Sequence, residues 1–151
     1  MKGLGYYHSP IGILKISSED NYISTISFVE KEDIKIHNTA IIESCINQLK
    51  EYFEHKRKEF NIPLKQKGSE FQQAVWTEME NIKFGKIFSY GQLACNINKP
   101  SSARAVGMAC SKNNIPIIIP CHRVVGSNGK LTGYAGGLRR KEWFLKHETK
   151  K

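Results

Sequence analysis

The first third of the chain alternates short β-rich runs with turn-forming residues. The runs are residues 6–8, 11–17 and 22–29, and they are separated by Ser9-Pro10 and by residues 19–21. Short β-rich runs bounded by Pro, Asn and Asp are typical of strands joined in hairpins. The pattern therefore predicts a small antiparallel sheet with a meander topology.

A helical pattern follows, beginning near Thr39, which we expect to be the N-cap. Apolar side chains then recur at helical spacing and form one stripe, which consists of Ile42, Cys45, Ile46, Leu49 and Phe53. Beyond this helix the sequence becomes basic and polar as far as Gly68. We therefore place a domain boundary there, between residues 1–67 and residues 68–151.

The second part of the chain begins with a capping-box pattern, Ser69-Glu70-Phe71-Gln72, which predicts a helix. The same spacing at Ser89-Tyr90-Gly91-Gln92 predicts a short second helix. A break at residues 96–100 follows, and Ser101 begins a third helix that runs to about Lys112. The second and third helices, at about residues 89–112, resemble a helix-turn-helix, although any helical hairpin gives a similar pattern.

The third helix is rich in small side chains. Ala103, Ala105, Gly107 and Ala109 are all small, and Arg104 stands among them near the start. Small side chains let a helix approach another surface closely. Tight packing inside the protein and contact with a nucleic-acid groove are both compatible with this pattern.

Residues 113–125 contain the segment with the most candidate chemistry, Asn-Asn-Ile-Pro-Ile-Ile-Ile-Pro-Cys-His-Arg-Val-Val. The isoleucine run predicts a buried extended segment. Pro120 fixes its own φ and restricts the residue before it, so we expect Cys121 to be held rigidly at the end of that segment. A Gly-rich loop at residues 132–137 and a last helix at residues 138–147 follow.

These patterns predict an α+β fold. Residues 1–67 form a small antiparallel-sheet domain with one helix, and residues 68–151 form a mainly helical domain that contains the helix-turn-helix. No apolar run approaches the roughly 20 residues that a transmembrane helix needs, and the N-terminus has no secretory pattern. We expect a cytoplasmic protein that does not associate with membranes.

The net charge of +9 is unevenly distributed. Residues 1–67 hold ten basic and nine acidic side chains, whereas residues 68–151 hold 13 basic and five acidic ones, a net charge of +8. This excess favours a polyanionic partner for the second domain. A basic surface that only confers solubility gives the same composition.

The four cysteines are not spaced as a zinc ribbon or a redox dithiol, and we predict no metal site. We expect reduced thiols, and Cys121 is the candidate nucleophile because His122 and Arg123 can favour a thiolate. A buried, inert cysteine is the alternative interpretation.

Several motifs of the second domain, in order and in spacing, resemble the O6-alkylguanine-DNA alkyltransferases (methylated-DNA–protein-cysteine methyltransferases). These motifs are Phe71–Trp76, Ser89–Ala94, Arg104–Gly107, Pro120–Val124, Gly133–Leu138 and Lys141–Trp143. The resemblance covers roughly residues 68–148, and residues 1–67 resemble the variable N-terminal domain of the family only loosely.

The resemblance implies repair of DNA by direct reversal of damage. An alkyl group would move from O6-alkylguanine to Cys121 after the nucleotide is flipped out of the duplex. O4-alkylthymine is a further candidate lesion. The transfer would be irreversible and stoichiometric, with no cofactor. Three alternatives are a lesion-binding protein without activity, a Cys-His acyl transferase or hydrolase, and a helix-turn-helix regulator.

The resemblance also implies roles for five site residues. Cys121 would accept the alkyl group, and His122 would take the thiol proton through a water molecule. Glu148 would hold His122, which completes a relay similar to a hydrolase triad. Asn113 would brace the active-site turn, and Tyr90 would assist nucleotide rotation and donate a proton towards the leaving guanine.

Further residues are implied at the DNA and at the substrate pocket. Arg104 would enter the base stack and fill the gap left by the flipped nucleotide. The other expected DNA-binding residues are Ser89, Tyr90, Ala103, Ala105, Gly107 and Arg123. The expected pocket residues are Val124, Tyr134, Gly136 and Lys141. The expected partner is double-stranded DNA that contains O6-alkylguanine and is contacted in its minor groove. We expect the protein to be a monomer, and cooperative binding on DNA is left open.

Overall fold

The computed structural model describes residues 2–134 and 136–149. The chain divides into two compact units, Met1–Gln66 and Lys67–Lys151. The first combines a sheet with one helix and the second is mainly helical, so the predicted α+β fold class is confirmed. Within the described residues, no helix combines the length and the hydropathy needed to cross a bilayer.

The sheet of the first unit has three antiparallel strands in the order β1 (Lys2–Ser9), β2 (Gly12–Glu19) and β3 (Tyr22–Val29). The β2–β3 hairpin turns through Asp20 and Asn21, whose φ angles of 51° and 65° are both positive. Positive φ at both central residues is typical of a type I′ turn, which Asp and Asn tolerate better than most residues. The predicted meander is confirmed.

Helix α1 (Ala40–Phe53) packs on this sheet. The Thr39 side chain accepts a hydrogen bond from the backbone N–H of Ile42, so the predicted N-cap is confirmed. Gly5 lets the helix approach strand β1 closely, because a Cβ atom there would lie 2.6 Å from Cγ2 of Ile42. The core between helix and sheet contains Leu14, Ile16, Ile23, Ile26, Ile42, Cys45, Leu49 and Tyr52.

The second unit begins with three helices that contact one another, α2 (Glu70–Glu80), α3 (Tyr90–Asn96) and α4 (Ala103–Ser111). Ser69 and Ser89 both form complete capping boxes, as predicted. Helix α4 begins two residues later than predicted, and the hydroxyl of its N-cap, Ser102, makes no capping hydrogen bond. The indole N–H of Trp76 donates to the carbonyl of Ala109 at 2.8 Å and ties α2 to α4.

Two further elements complete the second unit. Strands β4 (Phe88–Ser89) and β5 (Val124–Val125) form a parallel pair that the sequence pattern did not predict. Helix α5 (Leu138–Thr149) buries one face, which carries Lys141, Phe144, His147 and Glu148. This face contacts the short 3₁₀ helix Cys121–Arg123. The fold therefore brings the end of α5 to the candidate nucleophile.

Candidate active site

The segment before Cys121 is a buried turn and not the extended segment predicted from its isoleucines. The amide of Ile119 donates to the carbonyl of Ile115 at 3.0 Å, and Ile117 has a φ of 76°. The amide of Cys121 donates to the carbonyl of Ile119 at 2.8 Å, across Pro120 at φ −80° and ψ 68°. These angles are those of an inverse γ-turn. The prediction was wrong because an apolar run does not distinguish a buried strand from a buried turn.

Asn113 holds this turn closed with both atoms of its amide. Its Nδ2 donates to the carbonyl of Ile119 at 3.0 Å, and its Oδ1 accepts from the amide of Ile115 at 3.0 Å. The side chain is buried, so both bonds are shielded from water. Asn113 therefore fixes the backbone that presents Cys121.

Cys121 is buried, and its exposed fraction is 8%. Burial raises the pKa of its thiol, although a hydrogen bond from Asn113, the charge of Lys141 and nearby backbone amides partly oppose this shift. At neutral pH the sulfur is therefore protonated and needs a base before it can act as a nucleophile.

His122 and Arg123 both bind the carboxylate of Glu148. His122 Nε2 lies 2.6 Å from Oε2 of Glu148. Arg123 donates through Nε to Oε1 at 2.7 Å and through Nη2 to Oε2 at 2.9 Å. All three side chains are buried. The carboxylate is therefore held from two sides without access to bulk water.

The environment of these groups sets their protonation states. Burial alone would raise the pKa of Glu148, but its bonds to His122 and Arg123 outweigh burial and hold this pKa well below the usual range. Burial lowers the pKa of His122, aided by the charges of Arg123 and Lys141 and opposed by Glu148. His122 is therefore a neutral imidazole beside an ionised carboxylate.

The tautomer of His122 follows from these states. An ionised carboxylate only accepts hydrogen bonds, so Nε2 of His122 must carry the proton and donate it to Glu148. Nδ1 then carries a lone pair. Nδ1 is buried and has no hydrogen-bond partner among the described residues. His122 can therefore receive a proton at Nδ1 from a neighbouring group.

The loop before α5 is fastened by Lys141. This side chain has an exposed fraction of 0%, and its Nζ donates to the carbonyl of Thr132 at 2.7 Å. The Thr132 hydroxyl in turn donates to the Tyr90 hydroxyl at 3.0 Å. Burial lowers the pKa of Lys141, and negative charge on Cys121 or Cys110, when either is a thiolate, would oppose that shift. Lys141 thus links the loop, Tyr90 and the surroundings of the sulfur.

The remaining predicted pocket residues lie on this loop or behind it. Tyr134 is half-buried, and its ring packs against Phe144 with centroids 6.1 Å apart. The carbonyl of Gly136 accepts a hydrogen bond from Arg140 at 3.2 Å. Val124 has an exposed fraction of 0%, so its side chain is enclosed by protein in this conformation, and its expected place at the pocket stays a prediction.

The structure also corrects the expectation for Arg123. Its guanidinium is buried, is paired with Glu148 and donates to the carbonyl of Ile82 at 2.5 Å, so it is not available to DNA. Nor is Arg123 the cation that acts on the sulfur. The charge that lowers the pKa of Cys121 is that of Lys141.

Helix α4 presents a different surface. Arg104 and Ala105 are exposed, and Ala103 and Gly107 are half-buried, so the small side chains lie mainly on the outward side. The inward side consists of Val106, Ala109 and Cys110. A Cβ atom at Gly107 would meet nothing closer than the Tyr90 ring, at 3.8 Å. Tight internal packing therefore does not explain the glycine at position 107, and the outward side of α4 also carries the exposed Met108.

Sequence reasoning did not identify Phe144 as a site residue. The Phe144 ring lies 4.9 Å from the His122 ring and is fully buried. The signal was present in the sequence, because Phe144 stands three residues after Lys141 and four before Glu148 and so shares their face of the helix.

Among residues 2–134 and 136–149, no group of three or more His, Cys, Asp or Glu side chains could hold a metal ion.

Two family models match the chain in succession. A ribonuclease-like domain of 6-O-methylguanine DNA methyltransferase matches residues 4–66, and the DNA binding domain of the same family matches residues 70–150. The described site lies entirely within the second match.

Curated relatives match over almost the whole chain. The methylated-DNA–protein-cysteine methyltransferase of Methanosarcina acetivorans is 40% identical over 148 residues, which cover 94% of this chain and 95% of that protein. The constitutive methylated-DNA–protein-cysteine methyltransferase of Bacillus subtilis is 40% identical over 155 residues, with coverages of 94% and 93%.

Solved structures show the same fold. The Mycobacterium tuberculosis O6-methylguanine methyltransferase superposes with a TM-score of 0.88 at 37% identity, covering 98% of this chain and 93% of that chain. A crystal structure of Mycobacterium tuberculosis OGT in complex with DNA superposes with a TM-score of 0.87 at 38% identity, with coverages of 95% and 90%.

Proposed function

This chain belongs to the methylated-DNA–protein-cysteine methyltransferase family of DNA-repair enzymes, and we propose that it transfers an alkyl group from O6-alkylguanine to Cys121 once per molecule. The observation that carries the proposal is the state of His122. This neutral imidazole is held by Glu148 through Nε2, and its Nδ1 is buried and has no partner in the part of the chain that the structure describes. His122 also follows the candidate acceptor, Cys121, directly in the sequence.

The first step of the proposed reaction activates the sulfur. The Cys121 thiol gives its proton to a water molecule, while that water gives a proton to Nδ1 of His122. Glu148 is ionised and stabilises the imidazolium that forms, so it acts as a positioning residue. The burial that raises the pKa of the thiol also keeps other water away from the thiolate.

The second step moves the alkyl group. The Cys121 sulfur attacks the alkyl carbon with an electron pair, a C–S bond forms, and the C–O6 bond breaks with its electrons passing to the guanine. The guanine then takes a proton, for which Tyr90 is the proposed donor. The product is a thioether, which water does not cleave, so the molecule cannot return to its starting state. No cofactor is needed for this balance.

We assign DNA contact to the outward side of α4. A groove contact favours small side chains, and this side carries Ala103, Ala105 and Gly107. Arg104 is exposed among them and can occupy the place of a flipped nucleotide while its charge stays near phosphates. The net charge of +8 in residues 68–151 supports binding that does not depend on sequence.

The test is to incubate the reduced protein with duplex DNA containing one O6-methylguanine and to measure the mass of the peptide that carries Cys121. We expect that peptide to gain one methyl group. In Cys121→Ala the gain should disappear while DNA binding persists. Cys95→Ala is the matched control, because Cys95 is an exposed cysteine outside the site and its removal should leave methylation unchanged.

The alternatives give different results in the same assay. A lesion-binding protein without activity would bind the duplex and leave Cys121 unmodified. A Cys-His acyl transferase would also leave it without a methyl group, and would in addition react with thioesters or activated esters. Either result would overturn the proposal.

A further inference from the structure

Two polar atoms of the second unit are buried and have no hydrogen-bond partner among the described residues, His122 Nδ1 and the hydroxyl of Tyr134. An unpaired buried polar group is costly because it has given up its hydrogen bonds to water, so each of the two calls for an explanation. The proposed relay explains Nδ1, because this atom receives the thiol proton. It gives no role to the Tyr134 hydroxyl.

The rings of His122 and Tyr134 both pack against Phe144. The His122 ring packs on it at 4.9 Å with an interplanar angle of 32°, and the Tyr134 ring packs on it at 6.1 Å with an angle of 64°. Phe144 itself is fully buried. The two unpaired atoms therefore belong to side chains that share one packing partner beside the 3₁₀ helix that begins at Cys121.

The surroundings of Tyr134 determine the protonation state of its phenol. Burial raises the pKa of Tyr134 well above its usual value, and negative charge on Cys121 and on Glu148 raises it further, against an opposing effect of Arg140. The phenol therefore stays protonated and is available as a hydrogen-bond donor.

We propose that the Tyr134 hydroxyl is a positioning group that donates a hydrogen bond to the water molecule linking Cys121 to His122. The inference rests on the proposed function, because it assigns a third partner to the water of that relay. Buried waters typically make about three hydrogen bonds. This water would accept from the Cys121 thiol, donate to His122 Nδ1 and accept from Tyr134.

The proton balance of the relay is unchanged by this role. The thiol proton moves to the water as a proton of the water moves to Nδ1, and Tyr134 keeps its own proton throughout. The hydroxyl fixes where the water sits, and it therefore affects the rate of thiolate formation. The aromatic ring of Tyr134 has a different expected role. As a wall of the alkyl pocket, it would determine how well the substrate fits.

Tyr134→Phe tests the hydroxyl alone, because it keeps the ring and its packing on Phe144. In single-turnover reactions at saturating duplex, we expect the rate constant for methyl transfer to fall about tenfold, as loss of one net hydrogen bond would produce. The Kd for the same duplex should not change, and an ethyl lesion should show the same factor. Tyr22→Phe, which alters an exposed tyrosine of the first unit, should react like the wild type.

Tyr134→Leu separates the two roles of the side chain. If Tyr134 is only a wall, Tyr134→Phe will react within twofold of the wild type, and Tyr134→Leu will be impaired to an extent that depends on alkyl size. That result would overturn the inference, whereas methylation of Cys121 by the wild type would continue to support the proposed function. Failure of the wild type to methylate Cys121 would instead overturn the proposed function itself.

A crystal structure of the reduced protein provides a second test that needs no variant. We expect an ordered water within hydrogen-bond distance of both the Tyr134 hydroxyl and His122 Nδ1. A well-ordered site in which no water joins those two atoms would contradict the inference, even if Tyr134→Phe were to fold poorly.

Discussion

At the scale of single residues, the site depends on one carboxylate. Glu148 accepts from His122 and from Arg123, and thereby fixes a tautomer and neutralises a buried guanidinium at the same time. At the sulfur the balance is the opposite, because burial outweighs the hydrogen bond from Asn113 and the charge of Lys141 and raises the pKa of Cys121. The protein therefore keeps its nucleophile protonated and places the means of deprotonation in the neighbouring residue.

Glu148→Gln should destabilise the protein strongly. The amide keeps the shape of the side chain but leaves the buried Arg123 without a counter-ion, which typically costs about 3–5 kcal/mol. Urea unfolding measures the loss. The matched control is Glu142→Gln, which removes an exposed carboxylate paired with Lys146, and we expect a change of no more than about 1 kcal/mol. Equal effects of the two substitutions would contradict the assigned role of Glu148.

The rate of alkyl transfer should decrease as the pH falls, because protonation of His122 removes the base. Burial lowers the pKa of His122 in the folded protein, so the loss of rate should have its midpoint below the ordinary histidine value of about 6.5. Single-turnover rates measured between pH 5 and pH 8 at constant ionic strength test this. A midpoint above the ordinary value would contradict a lowered pKa for His122.

The pH dependence of stability should reflect the pKa shifts of His122 and Glu148. A group whose pKa is lowered on folding contributes stability above its pKa in the unfolded chain and loses it as the pH falls towards its pKa in the fold. The free energy of unfolding should therefore fall below about pH 6.5, where His122 becomes protonated in the unfolded chain. It should fall further below about pH 4, near the pKa of Glu148 in the unfolded chain. Urea midpoints across this range should decline in two stages, and the first should be weaker in His122→Asn.

At the scale of elements, local signals identified the helices and the starting points of those with a side-chain N-cap. Thr39, Ser69 and Ser89 act as N-caps where the sequence predicts them, because capping depends on residues only two or three positions away. The turn before Cys121 was not predictable in the same way. Its shape is set by the bonds of Asn113 and by buried contacts, which an apolar run does not reveal.

The capping boxes provide a quantitative test at this scale. Ser69→Ala removes the side-chain acceptor at the start of α2, and we expect a loss of about 1 kcal/mol in the free energy of unfolding. Ser102→Ala is the matched control, because Ser102 is the N-cap of α4 but makes no capping hydrogen bond. A loss at Ser102 as large as that at Ser69 would contradict the assignment.

At the scale of the whole molecule, composition and pattern contributed different predictions. The excess of positive charge in residues 68–151 favoured a polyanionic partner without deciding against a basic surface that only confers solubility, and the family models divide the chain close to the boundary that the pattern predicted. The pairing of Arg123 with Glu148 could not be derived from charge, since 25 positions separate the two residues. Long-range pairs of this kind need either the fold or the family.

DNA binding should weaken steeply with salt, as expected for contacts to phosphates. We place Lys99, which is exposed in the connection between α3 and α4, near the bound duplex. Lys99→Ala should reduce the slope of log K against log salt by about one. Lys50→Ala removes an exposed lysine of the first unit and should leave the slope unchanged. Fluorescence anisotropy of an unmodified duplex at several salt concentrations measures both, and equal effects of the two variants would contradict this placement.

The most direct test of the account is to count methyl groups transferred per protein molecule. With labelled O6-methylguanine duplex in tenfold excess, the account predicts a plateau at one methyl group per molecule, all of it on Cys121 and stable to prolonged incubation. Continued release of unmodified guanine beyond one equivalent, or a plateau with the label on another residue, would contradict it.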